Sequence, residues 1–235
     1  MHLTISGLLF SLSGTLLGYF SYTRYKAWKL DPHNTINVYY WKATVFITAA
    51  LILYGFAGLF FESPTLVLRI AAAVATILNT FGFGYFLLIP IYSWRGDAQN
   101  VIIRGAARLY AIAVAAMLVI SPPQSFIDSA GIIHWRFNAI VGWSVVGIAS
   151  LAFALNIILL SLYFKRLSSL SFFNLIALMF TFFLSGIGGG YLYVGDNPIF
   201  LIVASIFLFV GIFSVFWSVA QVAVKKKTSP YSARR

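Results

Sequence analysis

Residues 137–163 read FNAIVGWSVVGIASLAFALNIILLSLY. The stretch carries no charged residue. It exceeds the roughly 20 apolar residues that a helix needs to cross a bilayer core. A barrel strand would be a shorter segment of alternating polarity. In lipid, a run like this can satisfy its backbone only as a helix. Comparable apolar runs lie near 3–21, 41–61, 65–91, 104–122, 172–194 and 199–223. The expected fold class is therefore an all-α integral membrane protein with seven transmembrane helices. Residues 1–223 form the bundle, and 224–235 a basic, polar tail expected to be disordered.

Composition supports this. The 235-residue chain is 61% hydrophobic and 9% charged, with mean hydropathy +0.92. A soluble domain carries roughly 25% charged residues. So few charges could not cover a water-facing surface, and lipid must be the main solvent. There is no cysteine, which excludes disulfides, thiolate metal sites and cysteine nucleophiles.

The net charge of +11 reads as a topology signal and not as a nucleic-acid surface. Arg24, Lys26 and Lys29 follow the first run, Arg95, Arg104 and Arg108 surround the start of the fourth, and Lys165 and Arg166 follow the fifth. Lys225, Lys226, Lys227, Arg234 and Arg235 close the chain. The acids Glu62, Asp128 and Asp196 fall in the alternate connections. The positive-inside rule then places the N-terminus outside and the C-terminus in the cytoplasm, in the plasma membrane. The first run has no basic residue before it and no small-residue cleavage site after it, so it is read as a retained helix. Arg104 and Arg108, one turn apart, share a face for cytoplasmic lipid or an acidic partner, as do Lys225 to Lys227.

The densest glycine cluster is Ser185-Gly186-Ile187-Gly188-Gly189-Gly190. It lacks the spacing of a dinucleotide fingerprint, and no Lys-Ser/Thr pair follows as in a phosphate loop. Ser185 with Gly189, and Gly186 with Gly190, are small residues four apart and are expected to pack closely on another helix. The competing reading is an unwound segment beside a ligand.

Arg69 lies about four residues into the third run. It is read either as a cation reaching outer headgroups or as one facing the bundle to bind an anionic ligand or pair with Glu62. Trp143, Tyr191 and Tyr193 could line an outer, mostly apolar cleft with it. Asn79, Thr80, Asn156 and Gln221 are expected to bridge helices. Most tryptophans, Trp135 among them, are assigned to an interfacial belt. The three histidines, His2, His33 and His134, lack helical ligand spacing, so no metal or haem is expected. With no buried acid and no Ser/His pairing, neither an enzyme nor a proton pump is expected, and no cofactor.

Gly55, Glu62, Ser63 and Pro64 match Gly189, Asp196, Asn197 and Pro198 at a constant offset of 134. In each case an acid, a capping residue and a proline lead into the next run. The resulting 3+1+3 plan resembles that of the SWEET sugar transporters, although the helix-kinking prolines of that family are missing from runs one, two, five and six. The resemblance implies transport of a small solute. The seven-helix architecture also resembles membrane sensor modules that precede bacterial signalling domains. Three functions follow: first a sensor or receptor-like module that binds a small or lipid-like ligand and signals through a protein partner, then an accessory subunit of a larger membrane complex, then a small-solute transporter.

Overall fold

The computed structural model describes residues 4–60, 66–95, 97–163 and 183–228. The chain is almost wholly helical: α1 Ile5–Leu30, α2 Thr35–Phe60, α3 Leu66–Arg95, α4 Asp97–Ile120, α5 Ala139–Tyr163, α6 over residues 183–194, and α7 Pro198–Thr228. One antiparallel hairpin, β1 Phe126–Ile127 with β2 Ile133–His134, separates α4 from α5. Among the described residues, four helices are long and apolar enough to cross a membrane: Thr35–Phe60, Leu66–Trp94, Val101–Ile120 and Ala139–Leu159. Residues 172–182 of the expected sixth run, the Glu62-Ser63-Pro64 turn, Lys165, Arg166 and residues 229–235 lie outside the described residues.

Several helices outrun the apolar runs that announced them. Expected near residue 21, the end of the first instead comes at Leu30, so Arg24, Lys26 and Lys29 sit on α1. Hydropathy falls at a lysine, whereas helix geometry does not. Lys and Arg are good helix formers whose stems can lie along apolar surface. For the same reason α4 begins at Asp97, and α7 carries residues 224–228, read in the sequence as tail, as helix.

Small residues set the closest helix contact. Gly7, Ser11, Gly14 and Gly18 recur along one stripe of α1. They meet Gly55 and Gly58 of α2, where a Cβ on Gly58 would lie 3.0 Å from the Gly7 Cα. Thr4 fastens the end of this seam. Its hydroxyl accepts from the Gly7 amide at 3.1 Å and donates to the Gly58 carbonyl at 2.6 Å. That removes one orphan donor at the helix start.

Helix α3 lies between neighbours. Phe46 of α2 stacks on Phe81 and Tyr85 of α3, with ring centroids 5.7 Å apart in each case. The Asn156 amide of α5 donates to the Phe86 carbonyl of α3 at 3.0 Å, so this residue bridges helices as expected. The Tyr110 hydroxyl of α4 donates to the Ser144 carbonyl of α5. Helix α7 opens as the sequence predicts. The Asn197 side chain accepts from the Ile199 and Phe200 amides at 3.0 and 3.4 Å, and Pro198 is the first helical residue.

Neighbouring contacts gather the starts of α1, α3, α5 and α7 with the ends of α2, α4 and α6 at one end of the bundle. The hairpin folds over that end.

Candidate functional site: a central cavity under a hairpin lid

The hairpin is held by a side-chain clasp. Its turn is shaped by Asp128, whose Oδ1 accepts from the Ala130 and Ile132 amides at 3.0 and 2.9 Å, while Gly131 takes φ +75°. His134 is buried and sits between two carboxylates. Its Nδ1 lies 2.8 Å from Asp196 Oδ1, and its Nε2 lies 3.1 Å from Asp128 Oδ2. Phe126 stacks flat on the imidazole at 4.6 Å. Arg136 lies over the Phe126 ring and donates to Asp196 from Nη2 at 2.8 Å and Nε at 3.1 Å. The hairpin is thereby tied to the α6–α7 connection.

The charges in the clasp reinforce one another. The Arg136 guanidinium holds the Asp196 carboxyl below its ordinary value, with His134 adding to the effect against partial burial. Burial would raise Asp128, but the Ile132 and Ala130 amides and His134 outweigh it, so that carboxyl too is lowered. Arg136 is raised in return by Asp196.

The clasp seats Trp135 inside the bundle. Read in the sequence as part of an interfacial belt, this side chain is 2% exposed. The hairpin turns it inward onto Tyr54 at 4.5 Å and Phe10 at 6.0 Å between ring centroids.

Trp135 caps one end of a cavity of about 110 Å³ that runs down the bundle. Its walls are aromatic and aliphatic, with Phe10, Phe20, Phe83 and Phe153 among them. Polar groups border it at few places. The Asn79 amide donates to the Tyr193 hydroxyl at 2.7 Å. Tyr193 meets the Tyr54 hydroxyl at 3.2 Å, and Tyr54 meets Thr76 at 2.8 Å. Thr76 donates to the Ala72 carbonyl at 2.7 Å. Each hydroxyl has one proton to give. Thr76 spends its proton on Ala72, so Tyr54 must donate to Thr76 and Tyr193 to Tyr54. The chain of donors therefore runs one way, from Asn79 to Ala72, through α3, α6 and α2.

Among the described residues, two buried polar atoms at this cavity have no partner, Asn79 Oδ1 and Ser185 Oγ. A buried acceptor without a donor costs about 1–3 kcal/mol. Tyr193→Phe should break the relay in the middle and lower stability by about 1–2 kcal/mol, since such bonds in membranes are individually modest. The denaturant midpoint of the purified protein in detergent would measure this. An unchanged midpoint would remove the relay from the energetics.

The structure distributes the residues named from sequence. Tyr193 lines the cavity, as do Ser185 and Gly189. Among the described residues, a Cβ at Gly189 would meet nothing within 4 Å. A Cβ at Gly186 would lie 3.1 Å from the Phe153 ring of α5, and one at Gly190 would lie 3.7 Å from Val146. Close helix packing in this stretch falls to Gly188, where a Cβ would meet the Ala204 carbonyl of α7. Tyr191 packs edge-on to Phe200 at 5.9 Å. Trp143 is 63% exposed, and Arg69 is exposed beside Ile70, so neither joins Tyr193 at the cavity. Arg104 and Arg108 both border a shallow groove between α3 and α4, at the end away from the hairpin. Lys225, Lys226 and Lys227 fall in the last turns of α7, and their side chains lie outside the described residues.

The two glycines matched at an offset of 134 have different surroundings. Gly55 packs on Ser11, whereas Gly189 opens on the cavity. Among the described residues, no group of three His, Cys, Asp or Glu side chains could hold a metal ion.

The sequence matches no protein-family model and no curated protein.

Proposed function

We propose that this chain is a non-enzymatic, seven-helix protein of the plasma membrane, N-terminus outside, that binds a small apolar or lipid-like ligand and signals through a protein partner. Its binding site is the central cavity. The observation that carries this reading is a pairing of features at one place. A partly open, apolar lumen has Asn79 Oδ1 and Ser185 Oγ unpartnered at its wall among the described residues. Small-molecule sites commonly take this form, mostly apolar with a few polar groups that fix orientation. A lumen of about 110 Å³ is of the size that, lined by apolar groups, takes up small aromatic guests in other proteins. The hairpin supplies the readout. A ligand touching Trp135 presses on the segment tied by His134 and Arg136 to the start of α7, whose far end carries the cytoplasmic lysines.

Gly189→Leu tests the site. Its Cβ meets no described atom within 4 Å, and Gly189 lines the lumen, so the larger side chain is expected to take up lumen space. Wild-type protein purified from membranes should yield a small apolar species on solvent extraction and mass spectrometry. The variant should lose it at least tenfold, while still eluting as a folded monodisperse species. Equal recovery from both would sink this reading.

A further inference from the structure

Arg24 sits one turn past Phe20 on α1, just beyond the lining residues at the end of the cavity away from Trp135. Its guanidinium carbon lies 4.8 Å from the Phe20 ring centroid and 5.6 Å from that of Tyr40. Both rings are cavity wall. The Nε of Arg24 is buried and has no hydrogen-bond partner, and no carboxylate pairs with the side chain among the described residues. The ammonium groups nearby on α1 are turned onto other rings, Lys26 onto Tyr22 and Lys29 onto Tyr25. Arginine presents its donors in a planar fork suited to carboxylate and phosphate. A guanidinium half out of water with an empty donor is costly unless an anion completes it.

The lumen fits a short tail. Phe10 and Phe20, both lining it, are ten residues apart on α1. At 1.5 Å per residue this gives roughly 15 Å of apolar wall. A volume of about 110 Å³ along that wall takes a chain of only a few carbons.

We propose that the ligand is a short-chain anionic amphiphile, with its carboxylate or phosphate head on Arg24 and its tail in the lumen toward Trp135. This rests on the cavity being a binding site. The rings of Phe20 and Tyr40 form the collar between head and tail. The lysines on the same end of α1 raise the local concentration of anions without contacting the head.

The test uses purified full-length protein in phosphatidylcholine nanodiscs, with hexanoate, hexanol and inorganic phosphate as probes. Hexanoate should bind the wild type, and Arg24→Gln should weaken it at least about tenfold, the loss expected for a charge-assisted hydrogen bond. Hexanol, with the same tail and no charge, should change by less than about threefold in Arg24→Gln. Arg24→Lys should recover part of the hexanoate affinity, which separates charge from packing. Inorganic phosphate at millimolar concentration should leave hexanoate bound. The proposal is overturned if Arg24→Gln leaves hexanoate unchanged, if it weakens hexanol equally, or if phosphate alone displaces hexanoate. Gly189→Leu distinguishes the underlying reading. Loss of both hexanoate and hexanol supports the lumen as the tail site, whereas retention of both refutes the lumen whatever Arg24 does.

Discussion

Gly55→Val is expected to lower the stability of the bundle by about 2–3 kcal/mol, the upper range for overpacking a close contact. A Cβ at position 55 would lie 2.7 Å from the Ser11 amide nitrogen and 2.9 Å from its Cα. Both are backbone atoms of α1, so no rotamer change relieves the clash. The helices must separate along the seam that runs from Gly7 to Gly18. Separation would also draw Thr4 away from the Gly58 carbonyl. In lipid, helix association depends on such close packing, because burial of apolar surface offers no drive there. Gly189→Leu is the natural control, for it adds a larger side chain into open space. Urea midpoints in mild detergent would compare the two. If Gly55→Val unfolds no earlier than the control, the α1–α2 seam is not a close-packed contact.

Asp196→Asn should release the hairpin lid. The substitution keeps the shape and removes the charge that both His134 and Arg136 address. The His134 contact is the buried one, with that side chain 7% exposed against 49% for Asp196. Losing it should cost about 1–2 kcal/mol; the exposed Arg136 contact is screened by water and adds little. Acid should act in the same direction. Asp196 and Asp128 both titrate below their ordinary values in the folded protein. The unfolded chain therefore binds their protons first as pH falls. Their contribution is complete above the ordinary carboxylate range near 3.8 and is lost as pH drops through the lower folded values. Melting temperatures recorded from pH 6 down to pH 3 should fall for the wild type. In Asp196→Asn the curve should start lower and fall less. Parallel curves for the two proteins would show that Asp196 takes no part in the acid response.

The helices were legible because lipid leaves so little choice. A charge-free stretch such as 139–163 can only be helical there, and α5 occupies those residues. The cap at Asn197-Pro198 was legible because its hydrogen bonds are local. The α1–α2 seam carried the same small-residue spacing in Gly7, Ser11, Gly14 and Gly18 that drew notice at residues 185–190. There the density of glycines outweighed their periodicity, and of that cluster Gly188 is the residue in closest helix contact. The site was the hardest to read. Trp135, Tyr54, Asn79 and Tyr193 are separated by long stretches of chain and meet only once α2, α3, α6 and the hairpin are assembled. Arg69 and Trp143 had the right chemistry for a ligand, but nothing in their local sequence tells which side of a helix meets the bundle interior. The clasp had a local trace, the Asp128-Ser129-Ala130-Gly131 turn between short apolar pairs, but its function depends on Asp196 more than sixty residues away.

The one-way order of donors between Asn79 and Ala72 leaves the Asn79 oxygen, and not its amide nitrogen, as the free group of this relay. A carbonyl can never give a proton, so Ala72 fixes the direction of every bond up to Tyr193. Tyr193 is then left with only a lone pair for Asn79, and the amide must turn its NH₂ that way. Rotating Asn79 to greet an acceptor in the lumen would set its oxygen against the oxygen of Tyr193. An alcohol in the cavity meets a waiting acceptor. Its methyl ether, one methyl larger, meets that acceptor with nothing to offer and has only the Ser185 hydroxyl to turn to.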